Sequence, residues 1–189
     1  MTRLMSRQDL QNLRGVCQKA LRLETKKILV CGGTGCVAGG SLDIFDRLKA
    51  MMEQRGIPVS VELAHEPHGE SVGLKHSGCH GFCEMGPLVR IEPQGWLYTK
   101  VKLEDCEEIV ERTILGGACV ERLSYRQNGE IYRRQEEIPF YAKQQRVVLE
   151  HCGHINATSI YDYLAVGGYQ ALEKALFDMN PGQIRRAHV

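Results

Sequence analysis

Two pairs of cysteines, each set in a glycine-rich stretch, constrain this chain more than any other feature. The first reads CGGTGCVAGGS, a C-x4-C spacing from Cys31 to Cys36; the second reads GCHGFCEMGP, a C-x3-C spacing from Cys79 to Cys83. With 42 residues between the pairs, any fold that uses both must bring two distant loops together. That is what a single cofactor requires when it is gripped from two sides. Glycines beside thiolates let the chain take positive φ and turn backbone N–H groups toward sulfur. Thiolates are soft ligands that suit iron–sulfur clusters or zinc. In a [2Fe–2S] cluster each iron takes two thiolates, so Cys31, Cys36, Cys79 and Cys83 complete both metal environments, and this is the first reading. A four-thiolate zinc site, built from knuckles of similar spacing, stands as the alternative. Against zinc, knuckles organise small metal-dependent units, whereas this stretch has strands and helices enough for its own core.

Composition narrows the setting. Net charge is +1, from 24 basic and 23 acidic side chains, so no strong field favours nucleic acid or an anionic membrane. Eight cysteines in 189 residues fall below the density of a disulfide scaffold. The start, MTRLMSRQDL, has no apolar core of a secretory signal, and no run of about 18 apolar residues spans a bilayer. A reducing cytoplasm is the expected location, where paired cysteines bind metal more often than they form disulfides. The sequon at Asn156 is then without meaning.

The chain divides into an N-terminal amphipathic helix (residues 1–23), an α/β domain (24–118), a hairpin and linker (119–140) and a C-terminal segment (141–189). Ser6 with Asp9 forms a capping box, and Leu10, Leu13, Cys17, Ala20 and Leu21 share a stripe that must dock on the next domain or on a partner subunit. Lys27–Val30 is a strand leading into Cys31. Ser41 is placed as the cap of a helix with Leu42, Phe45, Leu48 and Met52 inward and its end near Gly56. Residues 57–63 alternate as a half-buried strand; 64–70 form a surface loop, and 72–76 a short strand or extended segment delivering Cys79. Residues 88–91 and 96–99 flank a turn, and 103–115 form a helix with Cys106, Ile109, Val110 and Ile114 inward. The order β, α, β, hairpin, α is that of a thioredoxin-like layer. Further on, Asn128-Gly129 predicts a type I′ hairpin, 135–139 a charged linker, 146–149 a strand, 159–166 and 169–177 helices, and Asn180-Pro181 the start of another.

Other candidates take duller readings. Cys17, Cys106, Cys119 and Cys152 read as buried or half-buried thiols. His76 and His80 bracket Cys79; with four cysteines present, histidine ligation of the Rieske kind is unneeded, but either ring could donate a hydrogen bond to the cluster. Trp96 and Tyr98 read as sheet packing. Gly32–Gly35 lacks the Lys-Ser/Thr of a P-loop and the G-x-G-x-x-G of a dinucleotide fold. A dithiol oxidoreductase needs a C-x-x-C pair, which the chain does not have.

CGGTGCVAGGS and GCHGFCEMGPLVRIEPQGWLY resemble the N-terminal thioredoxin-like ferredoxin domain of NADH-binding flavoprotein subunits. Those subunits belong to NAD-linked and electron-bifurcating hydrogenases and formate dehydrogenases, and are related to the complex I (NADH dehydrogenase) flavoprotein subunit. The resemblance implies a [2Fe–2S] cluster on Cys31, Cys36, Cys79 and Cys83. The stretch IPFYAKQQRVVLEHCGHINATSIYDYLAVGGYQALEKAL is similar to the opening of the flavin domain that follows. In the family that opening leads into a G-R-G-G-x-G-F loop for FMN and the nicotinamide cofactor, and later into a [4Fe–4S] cysteine motif; this chain ends without either. FMN and NAD(H) are therefore expected in a parent subunit or complex and not on this chain, which reads as an N-terminal portion of a longer subunit. Expected partners are a flavin domain and ferredoxin-like, hydrogenase or formate dehydrogenase type subunits, docked through residues 6–23 and the segment after Ala118. No catalytic acid, base or nucleophile is identified: the expectation is an electron carrier, with a zinc docking module as its alternative.

Overall fold

The computed structural model describes residues 3–63 and 69–186. Helix α1 (Arg7–Leu23) opens with the full capping box: Ser6 Oγ accepts the Asp9 N–H at 3.1 Å, and Asp9 accepts the Ser6 N–H at 2.9 Å. These bonds satisfy donors that the first helical turn leaves free. Strand β1 (Glu24–Cys31) follows directly. Its run Ile28–Cys31 is wholly buried, because β1 is the central strand of five and is covered on both faces.

The sheet order is β2 (Val59–Ser60), β3 (Ser71–Ser77), β1, β4 (Val89–Glu92), β5 (Trp96–Tyr98). β1 and β3 are parallel, joined across α3 (Ser41–Gln54), and β4–β5 is an antiparallel hairpin on the other side of β1. A final helix begins as a 3-10 turn at Leu103–Asp105, continues as α4 (Cys106–Glu108) and ends in a π-helical stretch, Ile109–Leu115. It buries Cys106, Ile109, Val110 and Ile114 against Ile44, Phe45, Leu48 and Met52 of α3. This is the thioredoxin-like layer that the element order predicts, α/β with a mixed sheet.

Several expectations shift. Ser41 is the first helical residue and fully buried; Gly40, at φ +89°, holds the cap position. Leu42 is exposed, and Ile44 and Met51 take its place in the stripe. The strand expected over 57–63 is only Val59–Ser60, an edge strand paired with Val72 and Gly73, because Leu63 turns away to pack under α1. The loop expected at 64–70 lies mostly outside the described residues. The hairpin of β6 (Tyr125–Gln127) and β7 (Glu130–Tyr132) turns through Asn128 at φ 52° and Gly129 at φ 85°, as a type I′ turn demands.

Residues 135–139 are more than a linker. A 3-10 turn at Gln135–Glu137 leads into α5 (Pro139–Ala142), burying Gln135, Ile138 and Tyr141. No strand forms at 146–149: Val147 and Val148 are 73 % and 95 % exposed, and β-branched residues without a sheet edge beside them have nothing to pair with. Three short helices close the described chain: α6 (Ile160–Ala165), α7 (Gln170–Phe177) and α8 (Pro181–Arg186). The stripe of α1 is covered within the chain, since Cys17 and Ala20 pack with Leu63, Leu164 and Ala165. Glu173 of α7 reinforces this docking, accepting from Arg7 at 2.7 Å, Gln11 at 2.6 Å and Arg14 at 3.0 Å.

Candidate metal centre

The four cysteines named by spacing meet at one end of the sheet. Cys31 is the last residue of β1, and its N–H donates to Leu88 O at 3.0 Å; the next residue, Gly32, donates to Ser77 O at 2.9 Å. The first loop is thereby fixed to the ends of both neighbouring strands. Cys36 lies in a short helix, α2 (Thr34–Ala38), which the sequence reading did not foresee. Cys79 follows β3, and Cys83 opens a 3-10 turn, Cys83–Met85. Cys31 and Cys36 are buried; Cys79 and Cys83 are exposed.

Glycine lets the two loops touch. A Cβ added at Gly33 would stand 3.0 Å from Cys79 Sγ, one at Gly35 would be 3.2 Å from Cys83 Cβ, and one at Gly86 would be 2.8 Å from Cys36 Sγ. None of these three takes positive φ, so they are required here for close approach and not for backbone conformation. Positive φ falls instead on Gly81 (φ 85°), whose N–H donates to Cys79 Sγ at 3.3 Å.

The sulfur contacts run in pairs. Cys79 and Cys83 Sγ are 4.0 Å apart, and Cys36 and Cys79 both perturb the Cys31 thiol. Among the described residues, no three His, Cys, Asp or Glu side chains close on a single metal-ion position. The bond with Cys36, with the N–H groups of His80 and Gly33, brings the Cys31 thiol down to about 6, while its partner Cys36 is pushed up by the same bond and by burial. Backbone N–H groups aimed at sulfur favour the thiolate, the form that binds soft metals. Four thiols, glycine cradles around them and N–H donors pointed at two sulfurs fit a [2Fe–2S] group.

The histidines have other work. His76 stacks on Phe45, ring centroids 3.6 Å apart. The His80 ring is fully buried and bonds away from the sulfurs, with Nε2 2.8 Å from Ser77 Oγ and Nδ1 3.3 Å from Gln135 Oε1. Burial pulls its pKa down to about 4, so the ring is neutral near pH 7. Because Gln135 Oε1 also accepts from Arg90 at 2.8 Å, Nδ1 must carry the proton. The His80 ring thus engages Ser77 and Gln135 and not the cysteine sulfurs.

The remaining thiols follow the duller reading: Cys17 and Cys106 are buried, Cys119 and Cys152 half-buried, and all eight cysteines are free. Tyr98 is buried, its hydroxyl bonded with Thr113 and accepting from the Val120 N–H. Asn156 is 3 % exposed, with its amide bonded to Val61 and Thr158, so the sequon is not presented for glycosylation. The residues missed by sequence reasoning are Gln135 and Arg146. Arg146 donates to His80 O at 2.6 Å and lies over the Tyr141 ring. Among the described residues, no helix is long and apolar enough to cross a membrane.

No protein-family model matches the chain. Among curated proteins, a 2Fe-2S ferredoxin of Clostridium pasteurianum is 40 % identical over 62 residues, 33 % of this chain and 61 % of the relative. A 2Fe-2S ferredoxin of Aquifex aeolicus is 51 % identical over 47 residues, 25 % of this chain and 42 % of the relative. The chain thus spans less than two thirds of each. Among solved structures, the wild-type thioredoxin-like [2Fe-2S] ferredoxin from Aquifex aeolicus aligns at 29 % identity with a TM-score of 0.42, covering 55 % of this chain and 99 % of that one. A second structure of a thioredoxin-like [2Fe-2S] ferredoxin from that organism gives 30 % identity and a TM-score of 0.41, over 58 % and 99 %. About a third of this chain is similar in sequence to [2Fe–2S] ferredoxins.

Proposed function

We propose that this chain is an electron-transfer module that holds a [2Fe–2S] cluster on Cys31, Cys36, Cys79 and Cys83. The observation that carries the reading is the convergence of both cysteine loops through glycines whose Cβ atoms would strike sulfur. When bound, such a cluster takes up and releases one electron reversibly. The chain's own residues position it and set its surroundings. Cys31 and Cys36 are drawn into the protein, where apolar burial with Leu88, Leu97 and Ile138 excludes water. Cys79 and Cys83 face outward, which makes their side the natural face for electron exchange with a partner. The N–H groups of Gly33, His80 and Gly81 compensate negative charge on sulfur, and such hydrogen bonds tune a cluster's potential.

The resemblance stated above supports a finer reading. The module belongs to an NADH-binding flavoprotein subunit of a cytoplasmic, electron-bifurcating or NAD-linked hydrogenase or related dehydrogenase, with FMN and NAD(H) held elsewhere in that parent. The test is reversible bleaching. Dithionite should bleach the visible absorption of anaerobically purified protein, and an oxidant should restore it. A colourless protein carrying zinc would overturn the proposal and leave the docking module.

A further inference from the structure

We infer that Arg146 is a positioning residue for the metal centre, orienting the His80–Gly81 peptide so that its N–H points at Cys79 sulfur. The inference rests on the cluster reading above and extends it to a residue outside the cysteine loops. The carbonyl of His80 and the N–H of Gly81 belong to one planar peptide, so fixing one end fixes the other. Arg146 Nη2 donates to the carbonyl at 2.6 Å; at the opposite edge, the Gly81 N–H donates to Cys79 Sγ at 3.3 Å. A peptide whose oxygen binds a guanidinium is polarised, and its N–H becomes the better donor.

Gly81 is the residue this arrangement needs. Its φ of 85° is strained for any side chain, and a Cβ there would stand 3.1 Å from Arg146 Nη2. Arg146 is itself held, with its guanidinium carbon 5.3 Å from the Tyr141 ring centroid. The same loop is gripped on its other side by Gln135, through the His80 ring, and by Gly153, where a Cβ would lie 2.9 Å from His80 Nδ1. The segment after the hairpin therefore grips the second cysteine loop at three places. Without the Arg146 bond the peptide is free to rotate, and Cys79 sulfur loses both its N–H donor and a nearby positive charge. Both losses disfavour the more negative, reduced state.

The test uses the 189-residue chain as wild type, Arg146→Ala, Arg146→Lys and, as a control for loss of surface charge, Arg126→Ala on the exposed hairpin. The expected result is a midpoint potential shifted downward in Arg146→Ala with changed EPR g-values, a partial shift in Arg146→Lys, and no shift in Arg126→Ala. In the metal-free chain, Gly81 amide exchange measured by NMR should be faster in Arg146→Ala by roughly ten-fold, the size expected for a lost bond to a charged donor. Wild-type potential, g-values and Gly81 exchange in Arg146→Ala would overturn the inference, even if the melting temperature fell. A wild-type chain that takes up no iron would overturn the cluster reading instead, and Gly81 exchange would still decide the role of Arg146.

Discussion

The sulfur of Cys36 lies against the backbone of Gly86, so close that a methyl group on Gly86 would stand 2.8 Å from Cys36 Sγ. Real Cβ atoms do not approach sulfur at that distance, so one of the two must move. Cys36 is fully buried, and in close packing any shift of its sulfur disturbs the ligand geometry. Gly86→Ala should therefore displace the Cys36 ligand, with cluster retention against a chelator weakened by roughly ten-fold or more. Iron release followed at the visible absorption band measures it; unchanged retention would mean the cradle is looser than it looks.

Burial separates the thiols of the metal-free protein. Cys79 and Cys83 are exposed, whereas Cys17, Cys31, Cys36 and Cys106 are buried. Iodoacetamide followed by peptide mass mapping should modify Cys79 and Cys83 first and reach Cys17 and Cys106 only on unfolding. Burial also pushes Cys106 up to about 11, keeping it as the unreactive thiol.

A buried ion pair ties the start of β1 to β3. Lys75 Nζ lies 2.6 Å from Glu24 Oε1, with the two side chains 0 % and 1 % exposed. Removing one partner strands the other: Lys75→Met should cost about 3–5 kcal/mol. The double variant Glu24→Leu/Lys75→Met should recover much of that loss, because no charge is left unpaired. Denaturant melts of the three proteins test both statements.

Glu173 makes the docking of α1 dependent on acid. Its hydrogen bond with Arg7, followed by those with Gln11 and Arg14, holds its pKa down to about 2 from the usual 4.5. A carboxylate depressed in the folded state contributes fully above its unfolded pKa, and its contribution is lost as pH falls through the folded value. The stabilisation of α1 by Glu173 should thus hold above about pH 4.5 and fade toward about pH 2. Glu173→Gln should flatten this part of the pH profile and expose α1 to limited proteolysis at neutral pH.

Local signals were the legible ones. The Ser6–Asp9 capping box, the stripe through Cys17 and Ala20, the Asn128-Gly129 turn and the cysteine spacings each carry their cause within a few residues. Arg146 and Gln135 were illegible because their partners are distant: Arg146 meets His80 across 66 positions and Gln135 meets it across 55. The apolar run Val147–Leu149 shows the opposite failure, with β-forming residues that find no sheet edge and remain exposed. Leu42 misled for a related reason. Helical periodicity gives the direction of a stripe but not its width, and the buried face of α3 is centred on Ile44, Leu48 and Met51.

Four cysteines from two loops are proposed to hold one two-iron cluster. The direct measurement is iron and acid-labile sulfide on anaerobically purified protein, with EPR after dithionite, for wild type and for Cys31→Ser, Cys36→Ser, Cys79→Ser and Cys83→Ser. Wild type should carry about two irons and two sulfides per chain with an S = 1/2 signal on reduction, and every variant should lose or markedly change that signal. One zinc per wild-type chain, or a variant with full iron, sulfide and an unaltered signal, would contradict this assignment.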